Sequence, residues 1–286
     1  MKQSTQPVLA GQVAIVTGAS RGIGAGIARR FAAEGAAVAL VARTVEPDAR
    51  IAGSLMGVAA AIREAGGTCL VVQADLACDE ELEGIVSATT GALGAPSILV
   101  NNAAWSRFPA LREVPLRHLQ LAMQMNVFAP HRLTQLVYPA MAARGEGWIL
   151  NISSATADLP GSAPWDTASR HFEFHHQGYP AVYGTSKAAL ERLTAGWALE
   201  VAGTGVAVNA LAPVGAVASE GAIAVGGWDG RDHVEPLEAM VEAALQLCHR
   251  PAAQLSGRIA RSLPLLEELC VDWRGHDGGE ISANLP

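Results

Sequence analysis

A doubly wound parallel α/β sheet of about seven strands, with helices on both faces, is the fold this sequence predicts. Three observations predict it. Short continuous apolar runs recur along the 286 residues, as strands buried on both faces require. Longer segments with apolar residues at helical spacing separate them. A glycine-bearing turn joins the first apolar run to the first helical segment, where nucleotide-binding sheets hold phosphate.

The elements follow in order. Gln12 to Thr17 (QVAIVT) is the first strand. Gly22 to Glu34 is helical, with Ile23, Ile27, Ala28 and Phe31 on one face. Ala36 to Ala42 is the second strand, Ile51 to Ala65 a helix, and Thr68 to Ala74 the third strand. Asp79 is expected to cap the next helix, with acidic residues in its first turn, where the macrodipole favours them. Pro96 to Asn101 is the fourth strand, and one long helical stretch runs from Pro115 to Arg144. Gly147 to Ser153 is the fifth strand, Ala181 to Ala202 a long helix, and Val206 to Leu211 the sixth strand. Leu237, Met240, Val241, Ala244, Leu245 and Cys248 mark a late helix, and Arg258 to Ser262 the seventh strand.

Residues 1–286 read as a single domain, since no repeat or linker divides them. Three segments break the rhythm. Residues 158–180 are polar, aromatic and His-rich and read as an insertion. Residues 214–236 are Gly-rich and suit a substrate lid. Residues 264–286 form a tail. The first two follow strands five and six, at the carboxyl edge where such sheets bind ligands.

Composition excludes several classes. Half of the residues are hydrophobic and 16% are charged, which rules out disorder. A balance of 20 basic to 27 acidic residues gives −7 and argues against a nucleic-acid partner. No apolar run is long enough to span a membrane, and the first twelve residues lack a secretory apolar core. Cys69, Cys78, Cys248 and Cys270 show no close pairing, so a cytoplasmic home is expected. His171, His175 and His176 have no accompanying Cys or carboxylate set, so no metal site is expected.

The glycine turn reads Thr17-Gly18-Ala19-Ser20-Arg21-Gly22-Ile23-Gly24. Glycines let backbone approach a ligand closely, and the helix N-terminus then presents N–H groups to a pyrophosphate. Near the middle of the chain stands Tyr183-Gly184-Thr185-Ser186-Lys187, whose spacing puts Tyr183 and Lys187 one turn apart on one helix face. With Asn101-Asn102-Ala103-Ala104 and Asn151-Ile152-Ser153-Ser154, these motifs give the sequence a specific resemblance to the classical short-chain dehydrogenase/reductase family, from about Gly11 to Ser262. The glycine spacing matches that family's TGxxxGxG pattern on a Rossmann-type sheet.

The resemblance implies roles. Thr17, Gly18, Ser20, Arg21, Gly22, Ile23 and Gly24 would form the phosphate loop. Asp75 corresponds to an adenine-contacting Asp, with Leu76 beside it. Asn102 would hold the loop and the cofactor ribose, next to Ala103, while Ala104 stands where the family has Gly. Asn209 and Pro213 match a VNxxxPG segment, with Val214 in place of its Gly and Ser219 near the usual carboxamide-binding Thr.

The second strand ends Val41-Ala42-Arg43, so Ala42 stands where an NAD-type enzyme would carry an acid for the ribose 2′-OH. Arg21 and Arg43 could instead grip a 2′-phosphate, for which guanidinium is suited. NADP(H) is therefore favoured over NAD(H), unless both arginines are merely solvated.

The resemblance implies that catalysis falls to Asn126, Ser154, Tyr183 and Lys187. Free tyrosine, with a pKa of about 10, is a poor base at neutral pH. The positive charges of Lys187 and oxidised nicotinamide would lower it. Tyr183 would then give or take the proton, Ser154 would hold the substrate oxygen with Ser153 as a structural neighbour, and Lys187 would also hold the ribose. Asn126, in a segment matching MxxNV, would shape its helix and hold a water linked to Lys187.

The expected activity is hydride transfer between nicotinamide and a ketone or secondary alcohol. A catalytically silent NADP(H)-binding sensor or scaffold is the other class, and enoyl reduction a third reading. The Tyr–Lys spacing and complete residue set favour the first. Trp165, Phe172, Phe174 and Tyr179 in the insertion, with Arg170 and three histidines, suggest a roofed apolar pocket for a bulky steroid-like, cyclic or acyl substrate. A subunit interface is the other use for that segment. Family members usually pair through the two long helices, implying a homodimer or homotetramer.

Overall fold

The computed structural model describes residues 7–47, 52–217 and 234–279. Seven strands form one parallel sheet: β1 (Val13–Thr17), β2 (Ala37–Ala42), β3 (Thr68–Gln73), β4 (Ile98–Asn101), β5 (Gly147–Ile152), β6 (Val206–Ala212) and β9 (Ile259–Arg261). Their spatial order is β3-β2-β1-β4-β5-β6-β9. The chain reverses its direction of winding between β1 and β4, where a crevice opens at the carboxyl edge.

The inner strands β1, β2, β4, β5 and β6 are buried on both faces because their residues alternate between two helix layers. Ala14 and Val16 pack with α1 (Gly22–Ala33), α2 (Leu55–Glu64) and the late helices, whereas Ile15 packs on the opposite side. Val38 and Leu40 repeat the first choice, Ala39 and Val41 the second. The opposite layer consists of α3 (Asp79–Leu93), α5 (Ala129–Arg144) and α7 (Ala181–Glu200), through Leu82, Ile85, Leu133, Val137 and Ala198. Phe31 is fully buried, but Ala, Val, Leu and Ile make up most of both cores, as the low aromatic content requires.

Several element boundaries differ from the sequence expectations. Helix α2 starts at Leu55, because Ser54 accepts a 3.1 Å hydrogen bond from the Gly57 amide and so caps it; Ile51 lies outside the described residues. Cys78, not Asp79, occupies the N-cap of α3. Asp79 is the first helical residue, and its carboxylate accepts from Gln124 Nε2 at 2.7 Å instead. Asp79, Glu80 and Glu81 do fill the first turn. The expected helix from Pro115 to Arg144 is interrupted. Helix α4 (Leu116–Met123) passes into a π turn (Gln124–Phe128) before α5. This wider turn buries Met125, Asn126 and Val127 together, and such turns often mark functional positions.

The insertion contains a short helix, α6 (Arg170–Gln177), capped by Ser169. Hydrophobic periodicity could not announce it, because none of its residues is buried. Residues 216–217 (β7) and 234–235 (β8) pair in parallel and close the base of the Gly-rich segment. Most of the expected lid, with Ser219, lies outside the described residues. Helix α8 (Leu237–Leu247) is nearly wholly buried, and α9 (Ser262–Leu269) follows β9 directly.

Candidate active site

The carboxyl ends of β1, β4, β5 and β6 surround the site. At β1, Thr17 organises the glycine turn. Its Oγ1 donates to the Val100 carbonyl at 3.2 Å and accepts the amides of Asn102 and Ala103 at 3.0 and 3.1 Å. Asn102 Nδ2 reaches back to the carbonyls of Thr17 and Gly18 at 2.9 and 3.3 Å. Gly18 has a positive φ of 67°, and a Cβ there would stand 2.7 Å from Asn102 Nδ2. The close fit of loop on loop therefore demands glycine.

The turn fits a dinucleotide pyrophosphate. Arg21 occupies the N-cap of α1 without a side-chain cap, and no acidic residue stands in the first turn. The positive end of the helix thus meets no carboxylate from its own first turn. Gly22, Ile23 and Gly24 form that turn, and Ser20 is buried beneath it.

The two arginines already have protein partners. Arg21 Nη2 donates to the Gly53 carbonyl at 3.0 Å, and exposed Arg43 lies 3.6 Å from the Asp75 carboxylate. Asp75 also accepts from the Ala77 amide at 3.0 Å, which shapes the turn after β3. Leu76 is buried in the core beneath it. Pro213 follows β6 at the far side of the edge, and the next amide, Val214, donates to Glu235 at 2.8 Å.

Tyr183 and Lys187 share one face of α7. Lys187 is buried, its Nζ donates to the Ile152 carbonyl at 2.6 Å, and it lies 5.6 Å from the Tyr183 ring centroid. Burial pulls the Lys187 ammonium down to about 7, against the opposing pull of the Glu191 carboxylate. Burial also pushes the Tyr183 hydroxyl above its ordinary value. Proximity to Lys187 alone predicts a lowered tyrosine, but in the chain alone desolvation prevails over the neighbouring lysine.

Ser154 begins a short 3₁₀ turn (Ala155–Ala157), where its Oγ accepts from the Thr156 amide at 3.2 Å and lies 3.0 Å from the Thr156 hydroxyl. Gly184 lets α7 approach this turn, since a Cβ there would stand 2.2 Å from the Thr156 carbonyl. Ser153 points elsewhere and donates to Glu191 at 2.7 Å. Asn126 is fully buried and exchanges hydrogen bonds with the Trp105 backbone at 2.8 and 2.9 Å. Its Nδ2 also reaches Ser186 Oγ at 2.8 Å, tying the π turn to α7.

Sequence reasoning missed Phe108, whose ring meets Tyr183 edge-on at 5.9 Å, and Glu191. No motif marks Phe108. Glu191 carried a usable signal, because it stands four residues beyond Lys187 on the same helix face. The insertion contributes His175 and Tyr179 to an open cavity of about 280 Å³ between Pro109–Arg112 and Ala181. Arg112 lies 5.8 Å over the Tyr179 ring, and Tyr179 holds a positive φ of 49°. Trp165 and Phe174 remain largely exposed. Among the described residues, no group of three or more His, Cys, Asp or Glu could hold a metal, and no helix is long and apolar enough to cross a membrane.

Comparison with known proteins agrees with this geometry. The sequence profile of the short chain dehydrogenase family matches residues 12–226. A short chain dehydrogenase of Pseudocercospora fijiensis is 32% identical over 256 residues, covering 89% of this chain and 74% of that protein. Hydroxysteroid dehydrogenase-like protein 2 of Danio rerio is 29% identical over 86% of this chain, which spans only 55% of that longer protein. Among solved structures, L-sorbose reductase from Gluconobacter frateurii, complexed with NADPH and L-sorbose, superposes with a TM-score of 0.73 at 27% identity, covering 90% of this chain and 97% of that one. The chain is accordingly a member of the short-chain dehydrogenase/reductase family, an NAD(P)-dependent oxidoreductase acting on CH–OH and C=O groups.

Proposed function

We propose that this protein is an NADP(H)-dependent ketone reductase or secondary-alcohol dehydrogenase for a bulky, largely apolar substrate. The observation that carries the reading is the buried Lys187 ammonium beneath the Tyr183 ring, beside the Ser154 turn at the carboxyl edge of the sheet.

Bound nicotinamide would supply or accept the hydride. The chain's own residues handle the oxygen and its proton. Tyr183 Oη gives the proton to the carbonyl oxygen in reduction and removes it in oxidation. Ser154 Oγ donates a hydrogen bond to the same oxygen and steadies its developing charge. Lys187 holds the ribose hydroxyls and lowers the cost of ionising Tyr183, countering the effect of burial. Asn126 keeps the Trp105 segment and α7 in register, and it holds a water toward Lys187. Thr17, Gly18, Ser20, Gly22, Ile23, Gly24 and Asn102 receive the pyrophosphate and ribose. Asp75, Leu76 and Ala103 would serve the adenosine side, and Pro213 the nicotinamide side.

Arg21 and Arg43 favour NADP(H), with the 2′-phosphate displacing the exposed Arg43–Asp75 pair. The NADPH bound by the similar sorbose reductase supports the same preference. The mostly apolar cavity between Pro109–Arg112 and Ala181 and the aromatic insertion support a bulky substrate, as does the likeness to a hydroxysteroid dehydrogenase-like protein. The chain works as a single catalytic domain. Exposed Phe128 and Leu199 support a homodimer through the α4–α5 and α7 faces, with a tetramer as its further assembly. Four free cysteines support a cytoplasmic location. A panel of cyclic, steroid-like and acyl ketones, followed by loss of NADPH absorbance, tests the activity. Binding of NADPH without turnover of any ketone would instead indicate a sensor.

A further inference from the structure

The chain contains two lysines, Lys2 and Lys187, and Lys187 is buried. Its neighbour one turn along α7 is Glu191, whose side chain is only 16% exposed. Glu191 Oε1 accepts a 2.7 Å hydrogen bond from Ser153 Oγ and stands 3.6 Å from Arg261 Nη1. Arg261, at the end of β9, holds Asp158 Oδ1 at 2.6 Å with its other nitrogen. Asp158 is the C-cap of the 3₁₀ turn that Ser154 begins. The contacts therefore close a ring from Ser153 through Glu191, Arg261 and Asp158 back to Ser154.

We propose that Glu191 is a positioning residue for the reaction: it holds Lys187 in its charged form and, through Ser153 and the Arg261–Asp158 pair, fixes the turn that presents Ser154. The proposal rests on the Tyr–Lys–Ser reading of the site. Its physical basis is the asymmetry around Lys187. From β5 it meets the neutral Ile152 carbonyl, and from α7 it faces Tyr183 and Glu191. Burial favours the neutral amine, and the negative charge that opposes burial belongs to Glu191. Arg261 lies beyond Glu191, 3.6 Å from its carboxylate, and is itself held by Asp158, so the pair aims the Glu191 side chain. Arg261 also fastens the start of the insertion to the last strand, so the substrate side and the catalytic helix share one ionic junction.

Glu191→Gln separates charge from shape, since the amide oxygen can still accept from Ser153. The direct measurement uses the full chain, free of cofactor and labelled with ¹³Cε-lysine, which gives one signal from Lys187 and one from Lys2. Lys187 should titrate near 7 in the native protein and at least about half a pH unit lower in Glu191→Gln. Lys2 should not move. An unchanged Lys187 midpoint would overturn the charge role. Arg261→Gln should raise KM for the alcohol in NADP⁺-linked oxidation at least threefold while sparing cofactor affinity, and an unaltered KM would overturn the positioning role. Tyr183→Phe, run alongside, keeps the two readings apart. A fully active Tyr183→Phe removes the underlying Tyr–Lys assignment, whereas an inactive one with an unmoved Lys187 titration removes only the role of Glu191.

Discussion

Lys187 Nζ donates its 2.6 Å hydrogen bond to the carbonyl oxygen of Ile152, the last residue of β5 and the second before Ser154. Helix α7 and the end of β5, which leads to Ser154, are thus joined through the ammonium itself. Burying this amine has a consequence for stability. Its folded pKa, about 7, lies below its ordinary value of 10.5. Between those two values the unfolded chain binds more protons than the folded one, so stability contributed through Lys187 rises with pH. Urea denaturation of the cofactor-free chain at pH 7 and 9 checks this. Wild type should gain on the order of 1–3 kcal/mol relative to Lys187→Met over that interval. A constant difference between the two proteins would show that the amine is solvated.

Asn126 should be a stability residue as well as a site residue. Replacing it with Ala strips hydrogen-bond partners from the Trp105 N–H, the Trp105 carbonyl and Ser186 Oγ at a fully buried position. The expected loss is about 2–4 kcal/mol in denaturant unfolding. A loss of under about 0.5 kcal/mol would mean that water or a shifted Trp105 loop replaces these bonds.

The parallel sheet, its carboxyl edge and the Tyr–Lys helix were legible in the sequence because each depends on local pattern. Strands buried on both faces read as continuous apolar runs, and Tyr183 and Lys187 share a face through their spacing alone. The departures arise from contacts distant in sequence. The π turn buries Asn126 against Trp105 and Ser186, which helical periodicity does not report. Helix α6 buries none of its residues and so lacks an apolar stripe. The opposite effects on Tyr183 and Lys187 depend on burial, which the four-residue spacing does not specify.

The proposed NADP(H) preference rests on two guanidinium contacts. Arg21 donates to Gly53, and Arg43 faces Asp75, so both can exchange a local partner for a 2′-phosphate. Replacing both with Gln should weaken NADPH binding at least about tenfold more than NADH binding, the scale of one or two charge-assisted hydrogen bonds. Fluorescence titration of both cofactors measures it. Equal losses for the two would mean that neither arginine reads the 2′-position.

The insertion should govern substrate size. Shortening residues 159–178 to a simple turn removes His175 from the cavity wall and leaves the Asp158–Arg261 pair intact. KM for bulky ketones should rise at least about tenfold, roughly the value of two buried methylenes, while NADPH affinity stays unchanged. A shortened protein that dissociates in sedimentation and keeps its substrate profile would make this segment an assembly element.

In the proposed reaction Tyr183 carries the proton, with Lys187 beneath its ring and Ser154 on the substrate oxygen. Tyr183→Phe removes one hydroxyl and leaves the Phe108 contact and the buried lysine in place. Steady-state NADPH oxidation with the best ketone of the panel, paired with NADPH binding on the same sample, tests the claim most directly. Binding should be unchanged and kcat should fall by about 10² or more. Turnover within a few-fold of wild type would contradict the claim and assign the proton to another group.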